Sequence, residues 1–185
     1  SQALGAGDAW DRFQRHQQPG LIWRITKWRT DMQVERSIEI DAPINHVWDK
    51  ISNLAGIQDW TDTVIEAHYH TDLKRGLGAG RTCDVKGFGT LVENVLEWKE
   101  NESFRLSLEG LPAFVKEASG GWRLESLGTN RTRATTFIDL QTRYWPVGAL
   151  IEKLMLGPKF GTTIEGVQAE FKAFVEANSV AKEVA

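Results

Sequence analysis

The sequence predicts an α+β fold in which a seven-stranded antiparallel sheet curves around a long C-terminal helix, with two short helices between strands 1 and 2. Three observations predict it. A strictly alternating stretch at residues 33–41 precedes a short helical pattern, six strand-like stretches fill residues 63–144, and apolar residues recur at helical spacing from Pro146 to about Asn178. A chain of 185 residues, 41% of them hydrophobic, is long enough to bury a core without disulfide bonds.

The first strand and the two short helices are predicted by residues 33–60. In QVERSIEID, Val34, Ile38 and Ile40 share one face and polar residues occupy the other, which is the pattern of a half-buried strand. Pro43 suits a first helical turn, and an apolar stripe at helical spacing follows it: Ile44, Val47, Trp48 and Ile51. The stretch LAGIQDW, residues 54–60, predicts a second short helix or a turn.

Six further strands are predicted after Trp60. They are TVIEAHYH (63–70), RTCDV (81–85), GTLVENVLEWK (89–99), SFRLSLEG (103–110), FVKEASGGWRLESLG (114–128) and NRTRATTFIDLQTRY (130–144). The connections, such as LGAG, KGFG and ENES, are turn-like and too short for the crossover that parallel neighbours need. Antiparallel pairing in one meander is therefore expected.

The C-terminal helix carries an internal break signal, LMLGPKFG at residues 154–161. A proline inside a helix removes a backbone donor and clashes with the preceding turn, at a cost of about 3 kcal/mol or more. The sequence therefore predicts a break at Gly157–Pro158. A mobile lid and a static kink that follows the curvature of the sheet are both compatible with it.

Three regions are predicted along the chain. Residues 1–31 form an N-terminal extension, a helix and an extended segment, that packs on the main domain. Residues 32–178 form that domain, and residues 179–185 form a C-terminal tail. The extension contains Trp23 and Trp28, two of the eight tryptophans, and these could instead dock on a second subunit.

Composition argues against several classes of protein. The net charge is −3 with both signs interspersed, and no basic stripe typical of nucleic-acid binders is visible. The apolar runs are shorter than the roughly 18 residues that predict a membrane span, and a signal-peptide pattern is lacking, so a cytoplasmic protein without integral membrane association is expected. A monomer or a homodimer is expected. The single cysteine, Cys83, has no partner for a disulfide and is interpreted as a half-buried structural thiol.

Several phrases, together with the order of elements, resemble the START-like or helix-grip (Bet v 1-like) superfamily, and within it the bacterial polyketide cyclase/dehydrase and lipid-transport group. The phrases are IEIDAPINHVWDKISN, LAGIQDW, GLGAGRTCDV, LVENVLEW followed by SFRLSL, and GGWRLESLGTNRTRATTFIDL, within residues 33–178. The resemblance implies a helix-grip fold with a cavity between sheet and helix. Members bind lipids, sterols, quinones, plant hormones or polyketide intermediates, and some catalyse cyclisation, dehydration or aromatisation.

Strand and helix phase predict which residues face this space. The expected ligand-binding residues are Trp60, Ile65, Tyr69, Phe104, Leu106, Phe114, Trp122, Leu124, Thr136, Ile138, Leu150, Leu154, Phe160 and Ile164. The alternative for each of them is a place in a plain hydrophobic core.

Polar residues that fall on the apolar, inward face of a strand are the candidate functional residues, because a buried charge is costly unless it is partnered. Arg36 and Glu93 fall in such phases and could form a buried pair or orient a ligand; Arg36 could also reach the rim. Together with Tyr69 and Tyr144 they are the weak candidates for acid–base catalysis.

No cofactor and no metal is expected. Glu66, His68 and His70 share one face of strand 2, and a carboxylate with two imidazoles suits zinc or iron, but this face opposes the apolar phase.

Three functions compete. The first is a carrier or sensor that binds a hydrophobic small molecule, such as a lipid, a quinone or a polyketide-like compound. The second is a cyclase or dehydratase, and the third is an interaction module that uses the Trp-rich extension. A GxSxG motif, the usual sign of a hydrolase nucleophile, is lacking.

Overall fold

The structure, a computed structural model, describes residues 32–142 and 157–183. Its elements in chain order are β1 (Met32–Ile40), α1 (Ile44–Ile51), a 3₁₀ helix (Leu54–Asp59), β2 (Val64–Tyr69), β3 (Gly80–Val85), β4 (Gly89–Lys99), β5 (Ser103–Ser107), β6 (Val115–Gly128), β7 (Arg131–Thr142) and α2 (Gly157–Glu183). This order confirms the predicted α+β class, with two short helices after the first strand and a long helix at the end.

The seven strands form one sheet in the order β1-β7-β6-β5-β4-β3-β2, and every neighbouring pair is antiparallel. Strands β2 to β7 follow one another as a meander because short turns join them. In the turn between β3 and β4, Gly87 and Gly89 adopt φ values of 71° and 107°, which only glycine tolerates well. The first strand closes the order by pairing with the last one, Val34 opposite Ile138.

Side chains from the helices protect both edges of the sheet. On β2, the backbone N–H of Ala67 donates to the side-chain oxygen of Gln58 in the 3₁₀ helix, at 2.9 Å. On β1, Gln168 and Lys172 of α2 donate to the backbone carbonyl oxygens of Arg36 and Glu39, at 2.7 and 2.6 Å. An edge strand with its polar groups satisfied is a poor template for pairing with another chain.

Helix α2 packs on the inner face of the sheet through one stripe. Gly161, Ile164, Gln168, Phe171 and Val175 are buried along it, at spacings of three and four residues. The ring of Phe171 lies between two tryptophans, one from the end of the 3₁₀ helix and one from β6, with centroids 4.9 Å from Trp60 and 5.2 Å from Trp122. This aromatic stack ties the 3₁₀ helix, α2 and the sheet together.

A second aromatic cluster fills the core beneath α1. Trp48 meets Trp98 and Phe104 edge-on, with centroid distances of 5.1 and 6.1 Å. The carboxylate of Glu100 accepts both indole N–H groups, at 2.7 Å from Trp48 and 2.9 Å from Trp98. These two hydrogen bonds hold the pKa of Glu100 below its usual range.

One residue of β2 points the opposite way from the prediction. The phase argument placed Ile65 inward with Ala67, but Ile65 is 65% exposed while Val64 is buried. The register explains it, because Val64 pairs with Val85 and Glu66 pairs with the adjacent Asp84, which leaves Ile65 as the extra residue of a bulge. Alternation restarts after the bulge, and the prediction for Ile65 was wrong.

The break predicted at Gly157–Pro158 coincides with the start of the described part of α2. Pro158 therefore stands in the first described turn, where a proline is tolerated. The preceding residues, on which the lid and kink interpretations depend, lie outside the described residues, as do the N-terminal extension, Tyr144, Leu150, Leu154 and the side chain of Phe160. At its other end α2 continues to Glu183, past the predicted start of the tail at residue 179.

Within the two described ranges, no helix combines the length and apolarity needed to cross a membrane.

Candidate functional site

Two different elements cover the inner face of the sheet. The 3₁₀ helix covers the β2–β3 side, where Ile57 packs against Val64, Ala67 and Cys83. Helix α2 covers the β1–β7 side through the stripe described above. The inner face of the sheet therefore has two covers, and the candidate site comprises two separate places on this face, one on β6–β7 and one on β3–β4.

The predicted lining residues separate into two groups by burial. Those that point inward and are buried are Trp60, Phe104, Leu106, Trp122, Leu124 and Ile164. Those that are only half-buried are Tyr69, Phe114, Thr136 and Ile138. The first group belongs to the packed core, while the second group leaves side-chain surface uncovered on or beside the inner wall.

The half-buried part of β7 lies beside a glycine of β6. Along the inner phase of β7, Ala134 and Leu140 are buried, but Thr136 and Ile138 between them are not. Ile138 pairs with Gly120 on one side, so the neighbouring strand contributes no side chain there. The inner wall therefore lacks a side chain from β6 beside Ile138, and part of the Ile138 side chain stays uncovered.

The same inner face carries a buried ion pair on β3 and β4. Arg81 and Glu93 are directly opposite each other in the β3–β4 register, and Arg81 Nε donates to Glu93 Oε2. Their side chains are only 10% and 8% exposed. Arg81 Nη1 also donates to the backbone carbonyl oxygen of Leu54, which fixes the guanidinium beneath the 3₁₀ helix.

Both members of the pair keep hydrogen-bonding capacity. Glu93 Oε1 and Arg81 Nη2 make no hydrogen bond within the part of the chain that the structure describes. Burial disfavours the charged guanidinium, but the adjacent Glu93 carboxylate outweighs burial and raises the pKa of Arg81, which keeps the arginine charged.

Cys83 lies next to this pair as a neutral donor. Its Sγ is 3.5 Å from Glu93 Oε2, and the thiol is buried. Burial raises its pKa to about 12, although the positive charge of Arg81 acts in the opposite direction. The thiol is therefore protonated at neutral pH and is a poor nucleophile.

Trp60 contributes a second unusual polar group to the interior. Its ring is buried in the aromatic stack, yet its indole N–H has no hydrogen-bond partner among the described residues. A buried N–H normally has a hydrogen-bond acceptor, so the indole N–H of Trp60 is an unusual buried donor.

Of the alternatives for Arg36, the buried pair with Glu93 was wrong. Arg36 is 42% exposed and pairs instead with Glu165 on α2, at 2.7 Å. Strands β1 and β4 are four positions apart in the sheet, about 19 Å at the usual strand spacing, which two side chains do not bridge.

The sequence interpretation also missed Arg81. Arg81, Cys83 and Val85 share one phase of β3, so a charge in an inward phase was visible there. The turn that brings Val85 opposite Gly89 also brings Arg81 opposite Glu93, so the hairpin register was the available signal.

Of the other predicted polar residues, Tyr69 neighbours the pair, because it lies directly opposite Arg81 in the β2–β3 register. Tyr69 is half-buried, and its hydroxyl donates to Asn53 at 3.1 Å. His70 lies on the outer face between Thr82 and Asn94, at 3.2 and 3.0 Å. Across the described ranges, no group of three His, Cys, Asp or Glu side chains lies close enough to hold a metal ion, so Glu66, His68 and His70 do not form the site considered for them.

Residues 31–176 match the model of the family described as polyketide cyclase / dehydrase and lipid transport. No curated protein sequence matches the chain.

Solved structures share the fold at low sequence identity. A START superfamily protein from Mycobacterium smegmatis is 17% identical, with a TM-score of 0.62 over 78% of this chain and 97% of that one. The protein TTHA0849 from Thermus thermophilus is 18% identical, with a TM-score of 0.64 over 80% and 99%. The Zhui aromatase/cyclase from a Streptomyces species is 20% identical, with a TM-score of 0.52 over 82% and 92%. These likenesses concern the fold alone. Because the family model matches residues 31–176, most of the chain, the chain belongs to the polyketide cyclase/dehydrase and lipid transport family.

Proposed function

We propose that the protein binds a hydrophobic small molecule, such as a lipid, a quinone or a polyketide-like compound, between the sheet and α2, and that it acts as a carrier or sensor. The observation that carries this proposal is the half-buried apolar side chain of Ile138 beside Gly120, next to Thr136, whose hydroxyl accepts from Gln168 of α2. Inward-facing side chains of a well-packed domain are normally buried, so uncovered apolar surface on this wall favours an apolar occupant. The lipid transport in the description of the family agrees with it.

The pattern of polar groups also favours binding over chemistry. The carboxylate of Glu93 is paired with the guanidinium of Arg81, and the thiol of Cys83 is protonated at neutral pH. A small number of polar groups in a mostly apolar wall is the composition typical of a site that orients a ligand.

Native mass spectrometry of the protein as purified, followed by denaturing extraction, tests the proposal. A stoichiometric apolar compound in the extract is the expected result. If the protein is purified empty, it should bind the uncharged fluorescent probe N-phenyl-1-naphthylamine saturably, with energy transfer from its tryptophans. An empty protein that also shows no saturable probe binding would refute the proposal.

A matched pair of substitutions on β7 locates the site. Ile138→Phe adds volume on the inner wall and is expected to weaken probe binding by about tenfold, which corresponds to about 1.4 kcal/mol. Thr135→Phe places the same ring on the outer face of the same strand, where Thr135 meets Ser37, and should leave binding unchanged. Equal effects of the two substitutions would argue against the inner wall.

A cyclase or dehydratase is the second candidate, and the Arg81–Glu93 pair is the observation that favours it. A buried guanidinium and carboxylate are groups that could polarise a carbonyl and accept a proton. Incubation of the extracted compound, or of a poly-β-ketone analogue, with the protein tests this activity by product analysis. Unchanged compound after prolonged incubation supports the carrier or sensor.

A further inference from the structure

We infer that the Trp-rich stretch at residues 21–31 docks on the outer face of the sheet, where it covers a buried cluster on β5–β7. This outer cluster consists of Arg105, Ser119, Phe137 and Asp139, which lie on neighbouring strands in register. The inference goes beyond the proposed function and is independent of it, because it concerns the face of the sheet opposite the inner wall.

The outer cluster is buried although it faces away from the core. Phe137 and Asp139 alternate with the inward Ile138 on β7, so both point outward. Phe137 is only 4% exposed and Asp139 only 5%, yet the three described helices all pack on the inner face. The guanidinium groups of Arg105 and Arg123, 4.6 and 5.5 Å from the centre of the Phe137 ring, cover part of it. The rest of this burial needs a further cover.

Two polar atoms of the outer cluster are sealed from solvent without a hydrogen bond among the described residues. Asp139 Oδ2 accepts from Arg105 Nη1, but Asp139 Oδ1 has no donor and Arg105 Nε has no acceptor. A carboxylate oxygen of Glu97 lies 3.5 Å from Arg105 Nε without forming a hydrogen bond. Buried polar atoms are nearly always paired, so a covering segment that carries both donors and acceptors fits this place.

The N-terminal extension joins the sheet next to the outer cluster. It leads directly into Met32, and Gln33 lies opposite Asp139 in the β1–β7 register. The cluster extends over β7, β6 and β5, and β5 is three strand spacings or about 14 Å from β1. An extended stretch as long as residues 21–31 reaches about 36 Å, so it is long enough to cross all three strands.

The composition of residues 21–31 matches the outer cluster. The basic side chains of this stretch are donors for the unpaired oxygen of Asp139, and its indole rings are apolar cover for Phe137. Residues 143–156 have to connect β7 with α2 on the inner face, which favours residues 21–31 as the occupant. The tryptophans and basic residues of the stretch are Trp23, Trp28, Arg24, Lys27 and Arg29.

Limited trypsin digestion of the full chain, followed by mass spectrometry, tests the inference. The bonds after Arg24, Lys27 and Arg29 are expected to be protected in the native protein. Phe137→Ser removes the ring on which the stretch docks, so these three bonds should be cleaved at least about tenfold faster. Leu96→Ser is the matched control, because Leu96 is 38% exposed on β4 and lies outside the outer cluster. Equal cleavage in all three proteins would overturn the inference.

Two other outcomes assign the outer cluster to a different occupant. Faster cleavage after Arg143 and Lys153 in Phe137→Ser, with no change at residues 24–29, would assign it to residues 143–156. A native dimer that Phe137→Ser converts to a monomer in analytical ultracentrifugation, again with no change at residues 24–29, would assign it to a second copy of the chain. Either result would overturn the inference.

Carboxyl footprinting covers the case in which Phe137→Ser does not fold. With a carbodiimide and glycine ethyl ester, Asp139 of the native protein should be labelled slowly, and Glu35, 41% exposed, should be labelled rapidly. The double substitution Trp23→Ser with Trp28→Ser leaves every described residue intact. It is expected to raise the labelling of Asp139 at least about fivefold and to leave that of Glu35 unchanged. Unchanged labelling of Asp139 would contradict docking of this stretch on the outer cluster.

Discussion

Removal of one member of the Arg81–Glu93 pair should be far more damaging than removal of both. Loss of one partner leaves an uncompensated buried charge, which costs about 3–5 kcal/mol, whereas replacement of a buried pair by apolar residues of similar size is often neutral. Any Arg81 variant also deprives the Leu54 carbonyl oxygen of a donor, at about 1 kcal/mol.

The expected values follow from these terms. Glu93→Leu should cost about 3–5 kcal/mol and Arg81→Met about 4–6 kcal/mol, while the double variant should cost about 0–2 kcal/mol. For a chain of this size each 1 kcal/mol lowers the melting temperature by about 2–4 °C, so Glu93→Leu should lower it by about 6–20 °C and Arg81→Met by about 8–24 °C.

Urea unfolding followed by tryptophan fluorescence measures the free energy of unfolding for all four proteins in the cycle. The exposed pair Arg131–Glu39, with side chains 58% and 40% exposed, is the control, and its coupling energy should stay below about 1 kcal/mol. A double variant of Arg81 and Glu93 whose loss of stability equals the sum of the two single losses would refute the reasoning, because it would mean that the two charges do not compensate each other.

Three other predictions test separate features. Glu100 has a lowered pKa, so its contribution to stability is present above about pH 4.3 and is lost as the pH falls through the folded-state pKa. Because the carboxylate is largely exposed, Glu100→Gln should lower the free energy of unfolding by only about 1 kcal/mol at pH 7, and this difference from the native protein should shrink toward zero at acid pH. Cys83, with its pKa raised to about 12, should resist iodoacetamide at pH 8 in the folded protein and react at the ordinary rate in urea; rapid modification of the folded protein would contradict its burial. Gly121→Ala would place a methyl group inside van der Waals contact with the backbone oxygen of Phe104 and should cost about 3 kcal/mol or more by urea unfolding. Gly120→Ala, whose nearest contact is 3.2 Å, should cost less than about 1.5 kcal/mol, and similar losses for the two variants would contradict the tight packing at Gly121.

The sequence determined the order and type of the elements because their signals are local. Alternation marks β1, short turns mark the hairpins, and apolar residues three and four apart mark α2. The inward phase was also readable wherever a strand ran without interruption, as for Phe104 and Leu106 on β5. Each of these signals depends on neighbours within about ten residues along the chain.

Only the tertiary structure decided the features that depend on pairing between strands. The bulge at Ile65 inverts one side chain, and it is visible only when β2 is aligned with β3. Glu93 pairs with Arg81 rather than Arg36 because β3 is adjacent to β4, while β1 lies at the far edge of the sheet. A sequence states which charges fall in an inward phase, but strand order and register decide which of them meet, and a buried charge is stable only where it meets its partner.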